Sequence, residues 1–259
     1  MWFEFSASVL VGLIGGIAAG LLGVSPGGPL VVFSVLLLGA EQHAAQGISL
    51  VAQIPPTSLA AIKRYWKNGS RSPLRWIIVL TIGFLAGGIG GAYAASFAAS
   101  KVLQWSYVAY LIILDVMLIL RREHAENGKP ETPAIPDLHW AALLIVGLIA
   151  GLSSGFMGIG GGLATVVGLS AILRVPQHQA QMVSLVMSLI PTTIPSAWVY
   201  WQQGWSSPWP VLAGVIAGLI VGNDIGGRLA NRVSRQALHV MMVFFVSVMA
   251  IYMAYKALS

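Results

Sequence analysis

The sequence predicts an all-α integral membrane protein made of two inverted-topology repeats, with glycine-broken helical hairpins and mid-span proline breaks. Three observations lead to this prediction: the composition, a series of long apolar segments, and an internal repeat. Of the 259 residues, 57% are hydrophobic and only 8% are charged, whereas soluble domains carry about 25% charged residues. The mean hydropathy is +0.81. Such a chain needs an apolar solvent, so we expect a lipid bilayer around it.

The polar residues exclude several function classes. Lysine and arginine exceed aspartate and glutamate by 14 to 8, a formal charge of +6. In a membrane chain such residues mark cytoplasmic loops, so we expect no nucleic-acid partner. The chain has no cysteine, which removes disulfide frameworks, thiolate metal sites and cysteine nucleophiles. Its five histidines are scattered without metal-ligand spacing, so we expect no metal and no cofactor.

Apolar segments predict the membrane spans, each of which needs about 20 residues to cross ~30 Å of hydrocarbon. Six segments meet this length: 44–66, 74–97, 102–120, 179–203, 208–230 and 236–257. Two more apolar regions, 6–40 and 139–175, are interrupted by glycine-rich breaks. The pieces that follow these breaks, 29–40 and 164–175, would reach about 18 Å at 1.5 Å per residue. Because this is too short to cross, we predict a hairpin with its apex inside the membrane, and leave two tilted crossings open.

An internal repeat relates the two halves. At an offset of 135 residues, 12–95 superposes on 147–230 without a gap, and 27 of the 84 aligned positions are identical. The matches include glycine, proline, glutamine, histidine and tryptophan, which a shared apolar composition does not explain. We therefore expect a first transmembrane repeat over 1–120, a polar linker over 121–137 and a second repeat over 138–259.

Charge indicates how the repeats are oriented, because basic residues accumulate on the cytoplasmic side. The segment near 63–75 carries five basic residues, whereas its counterpart near 203–210 carries none. One helix later the asymmetry reverses, since 97–102 holds only Lys101 and the equivalent segment holds three bases: Arg228, Arg232 and Arg235. Equivalent loops then lie on opposite sides of the bilayer, which predicts an inverted repeat.

The glycine-rich breaks are the first candidate for a binding site. Irregular backbone at membrane depth survives only inside protein or beside a wet cavity, and each break opens a short helix. The free N–H groups and positive dipole end of such a helix bind anions, as in transporters built from broken helices. Glycines that only permit close packing are the alternative. The predicted substrate-binding residues here are Ser25, Gly27, Gly28, Gly160, Gly161 and Gly162.

Prolines within two spans give a second set of candidates. Pro55-Pro56-Thr57-Ser58 and Pro191-Thr192-Thr193-Ile194-Pro195 interrupt helical patterns, because proline removes a backbone donor. Nearby hydroxyls and amides either face a substrate or bond to neighbouring helices. The predicted binding residues of this set are Gln46, Gln53, Pro56, Thr57, Gln181, Pro191 and Thr192.

Ionisable groups and glycine runs complete the candidates. His43 and His178 precede long spans and are weak candidates for proton coupling, since histidine titrates near neutrality. Asp115 and Asp224 lie inside spans, where acids are functional suspects, but each is within six residues of an arginine, so snorkelling or a local ion pair is the alternative. Runs of glycine at every fourth position predict close helix packing: Gly12/Gly16/Gly20, Gly83/Gly87/Gly91 and their counterparts in the second half.

At these residues the chain resembles the TauE/SafE family of sulfite exporters, a large group of bacterial and archaeal membrane transporters. The resemblance rests on Gly20-x-x-Gly23 followed by the segment 43–56, and on Gly155-x-x-Gly158-Ile159-Gly160-Gly161-Gly162 followed by 178–191. It implies small sulfur-containing anions as substrates. Ser25 and Pro26 stand where the second half has Gly160 and Gly161, so the two half-sites are not expected to be chemically equivalent.

We therefore expect a secondary transporter that moves a small oxyanion, with sulfite or an organosulfonate as the leading candidates, across a bacterial or archaeal cytoplasmic (inner) membrane by alternating access. An anion channel is the alternative. An intramembrane serine enzyme is a weaker one, because Gly151-Leu152-Ser153-Ser154-Gly155 matches G-x-S-x-G outside the strand–turn–helix context that this motif needs. The expected partners are the small anion and the bilayer, a homodimer is left open, and no catalytic residue is expected.

Overall fold

Helix is the regular secondary structure throughout the residues that the structure describes. A computed structural model describes residues 2–22, 25–55, 73–121, 138–175, 177–205, 207–230, 233 and 235–258. The predicted linker over 121–137 lies, apart from its first residue, outside them. In chain order the helices are α1 (Trp2–Leu22), α2 (Gly27–Leu37), α3 (Gln42–Ala52), α4 (Leu74–Phe97), α5 (Ser100–Arg121), α6 (Trp140–Met157), α7 (Gly162–Val167, continued by a π-turn over Gly168–Ile172), α8 (Gln177–Met187), α9 (Ile194–Gln202), α10 (Trp209–Ala230) and α11 (Arg235–Leu258). The all-α prediction is confirmed.

Several helices are long and apolar enough to cross a membrane. Within the described residues four qualify by length and hydropathy: Glu4–Leu21, Leu74–Phe97, Trp140–Met157 and Trp209–Leu229. Their outward faces carry large apolar side chains, such as Ile78 and Ile82 on α4, which are 50% and 56% exposed. Contiguous apolar surface of this kind marks a membrane or protein contact, so the helices form a multi-pass membrane protein.

The segments predicted as spans over 44–66 and 179–203 are not continuous helices. α3 ends at Ala52, just before Pro55, and α8 ends at Met187, seven residues before α9 begins at Ile194. Proline disfavours helical geometry in the residue before it, and Pro195 occupies the first turn of α9, where its missing N–H costs no helical bond. Each of these helices therefore covers only part of the bilayer thickness.

The helices that follow the glycine breaks are short. α2 has 11 residues, and α7 has six residues that a π-turn of five extends. At 1.5 Å per residue each reaches about 17 Å, roughly half of the hydrocarbon thickness. Both begin two residues earlier than the sequence suggests, at the equivalent positions Gly27 and Gly162.

Glycine faces bring helices of the two halves into close contact. α1 packs along α10 and α4 packs along α6. A Cβ on the glycines of α1 would overlap the α10 backbone in the order Gly12 at Val215, Gly16 at Leu219 and Gly20 at Asn223. The same contacts recur 135 residues later between α6 and α4: Gly147 at Leu80, Gly151 at Phe84 and Gly155 at Gly88. Because the residue numbers rise together, α1 runs parallel to α10 and α6 runs parallel to α4.

Candidate functional site at the junction of the two helix breaks

The two glycine breaks lie against each other in the protein interior. Gly27, which opens α2, packs so closely on the backbone of Ile159 that a Cβ there would overlap it. The hydroxyl of Ser25 lies 3.0 Å from the carbonyl oxygen of Ile159. Gly27 and Gly158 to Gly161 are buried. We call this region the break junction; it comprises Ser25 to Gly28, Ser49, Gln53, Gly158 to Gly162 and Ser184.

The second break has a backbone that only glycine adopts easily. Gly158 ends α6 with φ +68° and donates its N–H to the Ser154 carbonyl at 2.8 Å. Gly160 has φ +72°, which is again the left-handed region that glycine populates without strain. A Cβ at Gly158 would also strike Gln46, and one at Gly160 would strike the side-chain amide of Gln53. The chain here turns tightly while side chains of α3 occupy the space left by the missing Cβ atoms.

Two serines at the repeat offset hold the starts of the short helices. The hydroxyl of Ser49 on α3 lies 3.2 Å from the carbonyl oxygen of Gly27, and Ser184 on α8 donates to Gly162 O at 3.0 Å. Ser49 also reaches Gly158 O at 2.6 Å, so it links both breaks. Neither serine is among the site residues predicted from the sequence, although their shared position in the two repeats was a signal.

Gln53 and Ser25 provide the polar side chains of the first half-site. The Gln53 amide nitrogen donates to the Ser49 carbonyl at 3.0 Å and lies 3.1 Å from the Ser49 hydroxyl. Its amide oxygen accepts from Ser25 at 3.0 Å. The equivalent positions in the second half are Ser188 and Gly160, and Ser188 is exposed just after α8, with its hydroxyl donating to Leu185 O of that helix. The break junction is therefore chemically asymmetric, as the sequence predicted for the half-sites.

Backbone amides of the short helices contribute the remaining donors. The first intrahelical bond at α2 runs from Leu30 N to Pro26 O at 3.0 Å, so the N–H groups of Gly27 and Gly28 precede the helical ladder. Tyr107, fully buried on α5, donates to Gly28 O at 2.7 Å and fixes this turn. Tyr107 was missed, because an aromatic residue in an apolar helix gives no sign of a polar role.

Gln46 lies one turn before Ser49 on α3. It is fully buried, contacts Gly158, and its amide oxygen accepts from Tyr200 of α9 at 2.8 Å. The Tyr200 hydroxyl oxygen also lies 3.0 Å from Gly155 O. One use of Gln46 is therefore the interhelical bonding that the sequence left open.

Not all predicted binding residues join the break junction. Thr192 is buried and Pro191 is exposed in the turn between α8 and α9, and neither is among the described contacts of the junction. Gly161 does belong to the break junction, where it packs on the ring of Phe84. Gln181 is partly buried on α8. Pro56 and Thr57 lie outside the described residues.

His43 lies away from the break junction. It precedes Gln53 by ten residues, which is about 15 Å along a helix. Its ring stacks on Trp205 with 4.0 Å between centroids, and its two nitrogens lie 3.1 Å from Ala95 O and 3.3 Å from the Ser100 hydroxyl. The side chain of His178 lies outside the described residues, so proton coupling at either histidine stays a prediction.

The acids of the spans have local partners. Asp224 forms an ion pair with Arg228 one turn later, 2.7 Å long with both side chains exposed, which is the local pairing that the sequence offered as one reading. Asp115 accepts a hydrogen bond from Ser247 of α11. Among the described residues no group of three or more His, Asp or Glu could hold a metal ion.

Comparison with known proteins points to membrane transport. A family model described as sulfite exporter TauE/SafE matches residues 8–253. The chain is also 27% identical over 186 residues to the probable membrane transporter protein YdhB of Bacillus subtilis strain 168, and this match covers 69% of the chain and 72% of that protein.

Proposed function

Since the chain belongs to the TauE/SafE family of sulfite exporters and is a membrane transporter by that membership, we propose that it is a secondary transporter of a small oxyanion. Sulfite or an organosulfonate is the leading substrate class, and the membrane is the cytoplasmic (inner) membrane of a bacterium or archaeon. The observation that carries the proposal is the buried meeting of the two helix breaks, through Ser25, Gly27 and Ile159.

The chemistry of the break junction favours an anion over a cation. Its described side chains are neutral hydroxyl and amide groups: Ser25, Ser49, Gln53 and Ser184. The starts of α2 and α7 add backbone N–H groups and the positive ends of helix dipoles. Neutral donors bind an oxyanion without the tight charge pairing that would slow its release, which suits a transporter more than a storage site.

Contacts between the halves support the inverted arrangement that alternating access needs. His43 touches Ala95, near the end of α4, and Trp205, just before the start of α10. If both helices span the bilayer, α4 ends on the side where α10 begins, so these repeat equivalents run in opposite directions. With a binding site between opposed repeats, rocking one repeat against the other would open it to each side in turn.

Counterflow in proteoliposomes tests the transport mechanism. Vesicles loaded with unlabelled sulfoacetate should accumulate labelled sulfoacetate transiently above its external concentration, because a carrier exchanges one molecule for another. A channel would only let the label equilibrate, and that result would replace the carrier proposal with the channel. Absence of any oxyanion flux would contradict both.

The matched control variant for this experiment is Ser153→Ala. The Ser153 hydroxyl bonds to Ile149 O of its own helix at 2.9 Å, away from the break junction, so counterflow should be unchanged. An intramembrane serine enzyme would instead lose its activity when Ser153 and Ser154 are replaced by alanine, and would show no flux across intact vesicles.

A further inference from the structure

One face of α3 carries a continuous line of polar side chains. Gln42, Gln46, Ser49 and Gln53 follow each other at spacings of four, three and four residues, which places them one above the other on a helix. We call these four residues the α3 polar stripe. Gln42 and Gln53 are 11 positions apart, so the stripe extends about 16 Å, roughly half of a ~30 Å hydrocarbon layer. Its lower end is the break junction, where Ser49 and Gln53 are hydrogen-bonded.

The upper part of the stripe holds buried groups that lack a partner. Gln42 is 1% exposed, and within the described part of the chain neither its amide nitrogen nor its amide oxygen has a hydrogen-bond partner. The amide nitrogen of the fully buried Gln46 is also unpaired there. So is the hydroxyl of Ser196 on α9, one turn before the Tyr200 that contacts Gln46. Folded proteins pair nearly all such groups, and the exceptions call for an explanation such as an unseen water or ligand.

At its Gln42 end the stripe reaches the surroundings of His43. Gln42 is followed directly by His43, whose ring joins Ala95, Ser100 and Trp205. The line of polar groups therefore runs from the break junction to the membrane face at which α4 ends and α10 begins. At that face the ring of Trp205 stacks on His43, and the backbone carbonyl of Trp205 packs against Gly47 on the next turn of α3.

We propose that the α3 polar stripe lines a path along which the transported oxyanion moves between the break junction and this membrane face. The proposal rests on the transport function proposed above. The unpaired N–H groups of Gln42 and Gln46 replace part of the anion's hydration shell while it passes, and being neutral they do not hold it. Because both side chains are buried, the structure has this path closed. On α8, Gln181 and Ser184 stand at the equivalent positions and line the path to the opposite face.

The absence of native cysteine allows a direct test by cysteine accessibility. Gln42→Cys and Gln46→Cys are reconstituted and exposed during transport to the small anionic reagent methanethiosulfonate ethylsulfonate. The matched control is Ala45→Cys, which lies on the same helix and is fully buried in an apolar cluster. We expect the cysteines at both stripe positions to react at least about tenfold faster than the control cysteine, because access governs thiol modification. We also expect added sulfoacetate to slow the reaction of both cysteines. The proposal would be overturned if the cysteines do not react in variants that still transport, or if sulfoacetate does not slow their reaction.

A second variant covers the case in which the cysteines disturb folding. Gln42→Leu removes the unpaired amide while keeping a similar volume, so its melting temperature should be equal to or above that of the wild type. We expect its sulfoacetate uptake to fall about tenfold, whereas unchanged uptake would refute the path. Wild-type vesicles measured in parallel separate the two proposals: if they exchange no oxyanion, the transport function itself fails, and if they do, only the path is at stake.

Discussion

The two helix breaks share a backbone arrangement and differ in their side chains. In both halves a serine 22 residues further along the chain bonds to the first carbonyl of the short helix: Ser49 to Gly27, and Ser184 to Gly162. The first half adds Ser25 and Gln53, where the second half has Gly160 and Ser188. The amide of Gln53 occupies the space that a Cβ on Gly160 would need. The two halves therefore fit together: the second half has a glycine, without a side chain, at the place that the Gln53 side chain of the first half fills.

This difference distinguishes residues that position the helices from residues that provide polar groups to the site. The shared serine–carbonyl bonds position both helix starts, and Ser25 and Gln53 add polar side chains that the second half does not repeat. We therefore expect substitutions in the shared part to lower stability, and substitutions in the unshared part to lower transport.

The largest effect is expected where the two breaks touch. Gly27→Ala places a Cβ on the backbone of Ile159, which cannot move aside as a flexible side chain would, so the two breaks must separate. Overpacking of this kind costs roughly 1–3 kcal/mol or more, and both melting temperature and uptake should fall. The control is Gly227→Ala on α10, where nothing lies within 4 Å of the added Cβ, and which should leave the melting temperature unchanged or slightly higher. Equal behaviour of the two variants would contradict the contact between the breaks.

The next effect concerns transport rather than stability. Gln53→Leu removes the amide that joins Ser25 to Ser49, and we expect initial sulfoacetate uptake to fall by about tenfold, equivalent to about 1.4 kcal/mol. Its repeat counterpart Ser188 is exposed, and its hydroxyl bonds to Leu185 O at the end of α8, so Ser188→Ala should transport normally. If Ser188→Ala is as impaired as Gln53→Leu, the two half-sites work equally and the proposed asymmetry is wrong.

A smaller difference should separate the two scaffold serines. The Ser49 hydroxyl contacts two carbonyls and the amide of Gln53, whereas the described bond of the Ser184 hydroxyl runs to Gly162 O. A buried group left unsatisfied costs about 1–3 kcal/mol, so Ser49→Ala should lower the free energy of unfolding by more than Ser184→Ala. Thermal denaturation of the two purified variants in the same detergent measures this, and the reverse order would show that the first break is not the more tightly held.

The smallest effect is expected at Tyr107. Its hydroxyl donates to Gly28 O, and the equivalent position in the second half is a methionine, Met242. Tyr107→Phe removes one hydrogen bond without changing the packing, which costs about 1 kcal/mol. A small drop in melting temperature with normal uptake is expected. A loss of uptake at normal stability would mean that the tyrosine hydroxyl itself takes part in transport.

The repeat made much of this architecture predictable from sequence. The glycine runs were expected to pack closely, and glycines at the 135-residue offset do meet equivalent backbone in the two halves. The short helices begin two residues earlier than predicted because Gly27 and Gly162 join them as first residues. The ion pair of Asp224 with Arg228 could be read from their spacing of four residues.

Contacts between the halves could not be predicted in this way. Ser25 and Ile159 are 134 residues apart, and no local pattern indicates that the two breaks touch. Ser49 was not predicted because a serine within a helix commonly bonds to a carbonyl of its own helix, whereas the hydroxyl of this one lies 3.2 Å and 2.6 Å from carbonyl oxygens of two other segments. Residues 56–72 fall outside the described residues, so the roles predicted for Pro56 and Thr57 stay predictions.

Thermal stability of the purified protein in the presence of oxyanions tests the central claim most directly. A ligand that binds the folded state raises its stability in proportion to the logarithm of concentration over Kd. Sulfite, thiosulfate or sulfoacetate should raise the melting temperature of the wild type and not that of Gln53→Leu, while choline should raise neither. An equal rise in both proteins, or a rise with choline and none with any oxyanion, would contradict anion binding at the break junction.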